Sequence, residues 1–257
     1  MTDDDRLLLT FYGDDFTGST DALEALARAG VRTALFLEAP RPEQLGGRFA
    51  DLQAVGVAGM GRSLTPGQMD AALPPVFERL GRLGAKLFHY KTCSTFDSSP
   101  EVGSIGRAVD IGQRTFASPF VPVVVGAPIL RRFCLFGNLF ATVGDETFRL
   151  DRHPTMRSHP VTPMDEADLR AHLARQTSKT VALMDILHLS GPPAEVDRRF
   201  EGLLASRPDL VLFDVLDEPR LAEVGRLIWT RAVGERSLFA VGSSGLEYAL
   251  AAHWRAS

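Results

Sequence analysis

The sequence predicts an α/β protein: a three-layer α/β/α arrangement around a mostly parallel sheet, with a small hairpin insertion. Eight short apolar runs alternate with amphipathic segments of helical length along most of the 257 residues. Runs that are apolar almost throughout are typical of parallel strands, because helices cover both faces of such a sheet. No Ser/Gly-rich linker divides the chain, so we expect residues 1–257 to form one domain.

The apolar runs predict the strands in chain order. They are Leu7–Tyr12, Val31–Leu37, Leu52–Ala58, Leu87–Lys91, Val121–Val125, Val181–Asp185, Leu210–Asp214 and Leu238–Val241. Amphipathic segments between them predict helices over Thr20–Ala29, Gln68–Leu83, Glu166–Gln176, Glu218–Ala232 and Leu246–His253.

One segment departs from this alternation. Within Arg131–Leu150, the short runs Phe133–Phe136 and Thr147–Leu150 predict a hairpin insertion. The following segment, Asp151–Met164, has neither a helical nor a strand period. We expect it to be a loop ordered by its contacts, and loops of this length are often functional.

Composition excludes several functional classes. A net charge of −4 and a pI near 5.9 argue against non-specific nucleic-acid binding. No apolar run approaches the roughly 20 residues of a membrane helix, and the acidic N-terminus does not resemble a signal sequence. The two cysteines, Cys93 and Cys134, suit a reducing compartment, so we expect a cytoplasmic protein.

The segment after the first strand, Gly13–Asp21, carries the first candidate site. Its Gly-x4-Gly spacing resembles a phosphate-binding loop, but Ser19 stands where such a loop needs lysine, and Asp14 and Asp15 would repel polyphosphate. The two carboxylates suit sugar hydroxyls, or the removal of a proton from one. The alternative is structural: Asp14 caps the helix and Asp15 faces solvent.

A second candidate lies after the strand that ends at Lys91. Its ammonium group can hold a carboxylate or phosphate, and Ser94, Thr95 and Asp97 supply polar groups. The helix that follows, opening near Ser104, could also hold an anion at its first amides. A solvated surface loop is the alternative.

Three further segments complete the candidates. Arg62, after the third strand, suits a bidentate grip on a carboxylate, although a surface arginine is the simpler reading. Ser243 and Ser244, between two glycines, could form one wall of a crevice, or merely a tight turn. The loop at 152–164 contains two histidines and two arginines without a third ligand, so we expect no metal there.

Together these segments resemble the four-carbon acid sugar kinase family over nearly the whole chain. The motifs that carry the resemblance are Gly-Asp-Asp-Phe-Thr-Gly-Ser-Thr-Asp at 13–21, Lys-Thr-Cys-Ser-Thr-Phe-Asp-Ser-Ser-Pro at 91–100, Gly-Asn-Leu-Phe-Ala at 137–141, His-Pro-Val-Thr-Pro-Met at 159–164 and Gly-Ser-Ser-Gly-Leu-Glu at 242–247. The Cys-Ser-Thr-Phe-Asp variant resembles the 3-oxo-isoapionate kinase branch, and other branches act on threonate, erythronate and their 3-oxo forms.

The resemblance implies an N-terminal sugar-acid-binding domain and a C-terminal domain that binds ATP with Mg. By that resemblance, Asp14 and Asp15 would contact substrate hydroxyls, one of them as the catalytic base. Substrate-binding roles would fall to Arg62, Lys91, Ser94, Thr95, Asp97, Ser243 and Ser244.

The chain stops at Ser257 without a glycine-rich ATP domain. We therefore expect the C-terminal nucleotide-binding domain to be absent, and activity to need an ATP-binding partner on a separate polypeptide. A stand-alone acid-sugar-binding or regulatory module is the alternative, and a hydrolase or aldolase-like enzyme is a weaker one. A homodimer is compatible with either. The order Met156-Arg157-Ser158 departs from the family pattern, so no role is transferred to Arg157.

Overall fold

The computed structural model describes residues 7–234 and 236–256. Its strands are β1 (Leu9–Gly13), β2 (Thr33–Phe36), β3 (Ala54–Ala58), β4 (Leu87–Lys91), β5 (Val121–Val124), β6 (Arg132–Leu135), β7 (Asn138–Val143), β8 (Glu146–Arg149), β9 (Val181–Met184), β10 (Leu210–Phe213) and β11 (Leu238–Gly242). Its α-helices are α1 (Phe16–Arg28), α2 (Pro66–Gly81), α3 (Ile105–Phe116), α4 (Leu169–Ala174), α5 (Pro193–Ala205), α6 (Glu218–Trp229) and α7 (Gly245–Ala256).

Eight strands form one parallel sheet in the order β2-β3-β1-β4-β11-β5-β10-β9, which confirms the predicted α/β class. β1 lies between β3 and β4, and β11, late in the chain, lies between β4 and β5. The loops that follow β1, β3, β4 and β11 therefore meet at one stretch of the carboxyl edge. Open α/β sheets bind their ligands at this edge.

Helices cover both faces of the sheet, and alternate residues of each strand supply the two cores. In β1, Leu9 and Phe11 belong to the core beneath α1, α5, α6 and α7. Tyr12 belongs to the opposite core, beneath α2, α3, α4 and the smaller sheet. This double burial explains why the strands read as apolar runs.

The predicted hairpin insertion is a three-stranded antiparallel sheet, β6-β7-β8, so the two-stranded prediction missed the central strand. β6 and β7 are joined through Phe136 and Gly137, both with positive φ, as tight hairpin turns require. The Asp214 carboxylate, just after β10, accepts hydrogen bonds from the amides of Phe136 (2.5 Å) and Gly137 (2.9 Å). These bonds fix the small sheet to the carboxyl edge of the large one.

The helix predictions were less complete than the strand predictions. α5 was not predicted, α3 was expected only at its beginning, and α4 is shorter than the predicted Glu166–Gln176. The segment Asp151–Met164 contains two short 3-10 turns and is otherwise irregular, as expected. No helix among residues 7–234 and 236–256 is long and apolar enough to cross a bilayer.

Candidate functional site

The centre of the candidate site is a contact between two carboxylates and one arginine. Arg62 follows β3, next to β1, and its Nη2 donates to Asp14 Oδ1 (3.1 Å) while its Nη1 pairs with Asp15 Oδ2 (3.1 Å). Asp15 is also the N-cap of α1, since its Oδ1 accepts from the Gly18 amide (2.6 Å). This contact brings Arg62 to Asp14 and Asp15, although 48 positions separate Asp14 from Arg62 in the sequence.

The two carboxylates differ in their exposure. The Asp14 side chain is 3% exposed and that of Asp15 is 29% exposed. Burial raises the pKa of Asp14 to about 6, and the nearby Arg62 charge opposes that rise. The helix-capping alternative is thus correct for Asp15 rather than for Asp14, but the Asp15 carboxylate still reaches the open edge.

Lys91 ends β4 and is almost completely buried. Its Nζ pairs with Asp21 Oδ2 (3.1 Å) and donates to the Thr92 carbonyl (2.9 Å). Lys91 also lies within electrostatic reach of Asp14. Its charge is already balanced by Asp21, although an ammonium group retains a third hydrogen for another acceptor.

The loop after β4 is bonded to the irregular segment 151–164. Thr95 Oγ1 donates to Asp97 Oδ1 (2.5 Å), and Thr162 Oγ1 donates to Asp97 Oδ2 (3.0 Å). The Cys93 thiol sulfur lies 3.1 Å from Thr95 Oγ1, and Ser94 is half-buried beside it. Asp97 and Cys93 are both within electrostatic reach of Arg62, so this loop belongs to the same cluster.

In the turn after β11, the two serine side chains are fully buried. Ser243 Oγ donates to the Val125 carbonyl (2.7 Å) and accepts from the Gly245 amide (2.9 Å). Ser244 is fully buried, and its Oγ has no partner among the described residues. The Ser243 hydroxyl is therefore already used within the turn.

A buried pair, His89 and Glu247, lies next to this turn. His89 Nδ1 lies 2.6 Å from Glu247 Oε1, and His89 Nε2 lies 3.1 Å from the Gly242 carbonyl. Both side chains are completely buried. Because a carbonyl oxygen only accepts, Nε2 carries a hydrogen. The pair fixes the position of Gly242 between β4 and α7.

Sequence reasoning missed several of these partners. Asp21 and Thr162 stand inside the motifs at 13–21 and 159–164, so membership of a motif was an available signal. Glu247 stands inside the motif at 242–247 and had the same signal, whereas His89 had none. Nothing in the sequence places these two residues, 158 positions apart, side by side. The functional roles of the predicted site residues remain predictions.

The comparisons with known proteins agree with this architecture. A family model described as a sugar-binding N-terminal domain matches residues 9–250. The chain is 57% identical over 250 residues to a 3-oxo-isoapionate kinase of Paraburkholderia graminis, covering 97% of this chain and 52% of that protein. It is 32% identical over 246 residues to a 3-oxo-tetronate kinase of Methylobacterium radiotolerans, covering 95% and 54%. The chain thus spans about half the length of the curated relatives it matches.

Solved structures show the same fold. A Haemophilus influenzae protein with a domain of unknown function superposes with a TM-score of 0.81 at 25% identity, over 96% of this chain and 56% of that one. A Bordetella bronchiseptica protein, described as a domain-swapped dimer with bound citrate, gives a TM-score of 0.72 at 25% identity, over 96% and 56%. The family match over almost the whole chain, together with these relatives, shows that the chain belongs to the four-carbon acid sugar kinase family, as its sugar-binding N-terminal domain.

Proposed function

We propose that this chain is the substrate-binding part of an ATP-dependent kinase that phosphorylates a hydroxyl of a small sugar acid. The Asp14–Arg62–Asp15 cluster at the carboxyl edge of the sheet carries this proposal. The relationship to a 3-oxo-isoapionate kinase favours that branched sugar acid, and four-carbon sugar acids are the other candidates. Bound citrate in the Bordetella bronchiseptica relative supports a hydroxylated carboxylate as the ligand class.

The two carboxylates take different parts in this proposal. Asp15 is the more exposed, and each of its carboxylate oxygens has one partner within the protein and keeps a further acceptor position. We therefore assign to it the hydrogen bond from the substrate hydroxyl and the role of base. Arg62 holds the Asp15 carboxylate in place through Nη1. The buried Asp14 fixes the other side of the same guanidinium.

The remaining predicted residues lie near the Asp14–Arg62–Asp15 cluster or support it. Lys91 and Asp97 add one positive and one negative charge close to Asp14 and Arg62, and Thr95 holds the Asp97 carboxylate. Ser94 is half-buried and adds a hydroxyl, whereas Ser243 and Ser244 are fully buried and support the turn after β11.

The turn after β1 does not fit the phosphates of ATP. No group of three or more His, Cys, Asp or Glu side chains within 7–234 and 236–256 is placed to hold a metal ion. The Gly13–Gly18 turn carries Asp14 and Asp15 where a polyphosphate would lie. Because metal-nucleotide positioning supplies most of the catalysis in phosphoryl transfer, we derive no transfer step from this chain alone. The proposed kinase needs a nucleotide-binding domain.

The second candidate function is a non-catalytic acid-sugar-binding or regulatory module. It would bind the same ligand at the Asp14–Arg62–Asp15 cluster without any transfer. A homodimer is compatible with both functions, and light scattering coupled to size-exclusion chromatography would measure it.

A binding and transfer experiment separates the candidates. Calorimetry with 3-oxo-isoapionate, threonate and erythronate measures binding to the chain alone. Phosphorylation is then assayed with Mg-ATP, with and without the C-terminal half of the Paraburkholderia graminis kinase as a separate polypeptide. Transfer only in the presence of that half supports the kinase, whereas binding without rescue supports the binding module. If none of the three acids binds, both functions are rejected.

A further inference from the structure

The N-cap of α1 differs from those of two other helices that also begin with aspartate. Asp168 caps α4, and its carboxylate is bonded by Arg170 of the same first turn (2.9 Å and 2.6 Å). Asp217 caps α6, and its carboxylate is bonded by Arg220 of that first turn (2.5 Å). The first turn of α1 carries no charged side chain. Its cap carboxylate is therefore left for a partner outside the helix.

The caps of α1 and α6 have the same backbone conformation. Asp15 has φ −146° and ψ 167°, and Asp217 has φ −147° and ψ 170°. Each accepts a hydrogen bond from the amide of the third helical residue, which is Gly18 in α1 (2.6 Å) and Arg220 in α6 (3.1 Å). The carboxylate thus lies closer to the helix in α1, where the third residue has no side chain.

The space beside Gly18 is occupied by the two charged groups around it. A Cβ atom at position 18 would lie 2.5 Å from Asp15 Oδ1 and 3.3 Å from Lys91 Nζ. The first distance is too short for atoms that are not bonded, so a side chain here would displace the Asp15 carboxylate. The other oxygen of that carboxylate, Oδ2, is the one that pairs with Arg62 (3.1 Å).

We propose that Gly18 is a positioning residue for the Asp15 carboxylate. Because position 18 has no side chain, this carboxylate caps α1 through Oδ1 and pairs with Arg62 through Oδ2 at the same time. A displacement of about 1 Å at a reacting group can cost a large part of the rate. The inference rests on the proposed function only in treating Asp15 as the base, and it adds the residue that sets the place of that base.

A stability comparison tests the geometry without any substrate. Alanine favours a helix over glycine, so Gly202→Ala, in α5 with no atom within 4 Å of the added Cβ, should raise the urea midpoint. Gly18→Ala should not raise it, because the same gain is offset by the displaced cap. A rise equal to that of Gly202→Ala would overturn the inference.

A second background assigns the effect to the carboxylate. In Asp15→Ser the shorter serine hydroxyl can still cap the helix, and a hydroxyl cap tolerates a side chain at the third position, as Thr65 and Gln68 show in α2. In this background we expect Gly18→Ala to raise the urea midpoint. If Gly18→Ala lowers the midpoint equally in both backgrounds, Lys91 rather than Asp15 is the obstructed group and the inference is wrong.

Hydrogen exchange gives a measurement that does not need the Asp15→Ser chain to fold. The amide at position 18 is bonded to Asp15 Oδ1, so its protection factor should fall at least about tenfold in Gly18→Ala. The amide of Arg220, capped by Asp217, is the internal control and should keep its protection. Unchanged protection at position 18 would contradict the proposed displacement.

A transfer assay connects the position of the carboxylate to the reaction. The chain is combined with Mg-ATP and the C-terminal half of the Paraburkholderia graminis kinase, with 3-oxo-isoapionate and threonate as substrates. We expect Gly18→Ala to lower kcat at least about tenfold and to change KM less than about threefold, because the base acts in the transition state. Gly202→Ala should leave both unchanged. Full kcat in Gly18→Ala overturns the inference and keeps the kinase. If the unmodified chain gives no transfer, the kinase function is rejected, and the stability and exchange results alone decide the role of Gly18.

Discussion

The turns after β1 and β11 were predicted as ligand-binding segments by the same argument, yet the structure builds them differently. Both are glycine-bounded and both lead from a strand of one parallel sheet into a helix. After β1, Arg62 holds the Asp15 carboxylate, which stays partly exposed. After β11, the Ser243 hydroxyl is bonded on both sides and Ser244 is fully buried. Position at the carboxyl edge therefore does not by itself make a turn a binding segment. The turn must also present a polar atom that a ligand can reach.

Replacement of Arg62 gives the largest expected effect, because the turn after β1 depends on charge. Arg62→Ala leaves the buried Asp14 without its partner, so we expect a loss of about 3 kcal/mol in the free energy of unfolding at pH 7.5. At pH 5 Asp14 is largely protonated and the loss should be smaller. Urea denaturation at both pH values measures this. Arg28→Ala, which breaks an exposed pair with Glu24, is the control. Equal losses at the two pH values would contradict the prediction.

The titration of Asp14 gives a second test of how the turn after β1 depends on charge. The folded-state pKa is about 6 and the ordinary value is 3.8, so the folded protein binds a proton between these values that the unfolded chain has released. The Asp14 contribution to the free energy of unfolding therefore falls as pH rises through the two pKa values, by about 3 kcal/mol in total. Asp14→Asn removes this dependence. The difference between the unmodified chain and the variant, measured by urea denaturation, should follow that curve. A flat difference would show that Asp14 is not desolvated.

Substitution of Ser243 in the turn after β11 should lower the free energy of unfolding and leave the ligand affinity almost unchanged. Ser243→Ala leaves the Val125 carbonyl and the Gly245 amide without their buried partner, which costs about 1–2 kcal/mol. We expect the affinity for threonate to change less than about twofold, since the hydroxyl hydrogen is already donated and the side chain is fully buried. The control is Ser206→Ala, an exposed serine at the end of α5. A large loss of affinity in a stable Ser243→Ala variant would remove the contrast between the two turns.

The smallest effect on stability is expected at Asp15. Asparagine caps a helix about as well as aspartate, so Asp15→Asn should change the free energy of unfolding by less than about 0.5 kcal/mol. The variant has no carboxylate to take a proton, and we expect phosphoryl transfer with the nucleotide-binding half to fall at least about 100-fold. Full activity in this variant would exclude Asp15 as the base.

The fold was largely readable from the sequence, because buried parallel strands have a simple apolar signature. The missing central strand, Asn138–Val143, lies between two tight turns, and its burial does not follow a strict two-residue alternation. α5 was missed although its buried side includes Val196 and Phe200. Its many charged residues obscured the apolar face.

The sequence could predict which segments form the site, but not which side chains in them pair with one another. Each of Asp14, Arg62, Lys91 and Thr95 ends or follows a predicted strand, so their presence at one edge could be expected. The pairing between them depends on the order of strands, which periodicity does not specify. With β3 beside β1, Arg62 reaches both carboxylates; with α1 over β4, Lys91 meets Asp21.

The position of β11 has a consequence for synthesis on the ribosome. The strand at Leu238–Gly242 is inserted between β4 and β5, two strands made more than 100 residues earlier. Until it emerges, β4 and β5 present unpaired edges to their surroundings, and the loops that build the site cannot take their final spacing. Such long-range closure is slow and leaves nascent chains prone to aggregation. The native sheet should therefore form only after β11 has been synthesised, and not during growth of the first half of these 257 residues.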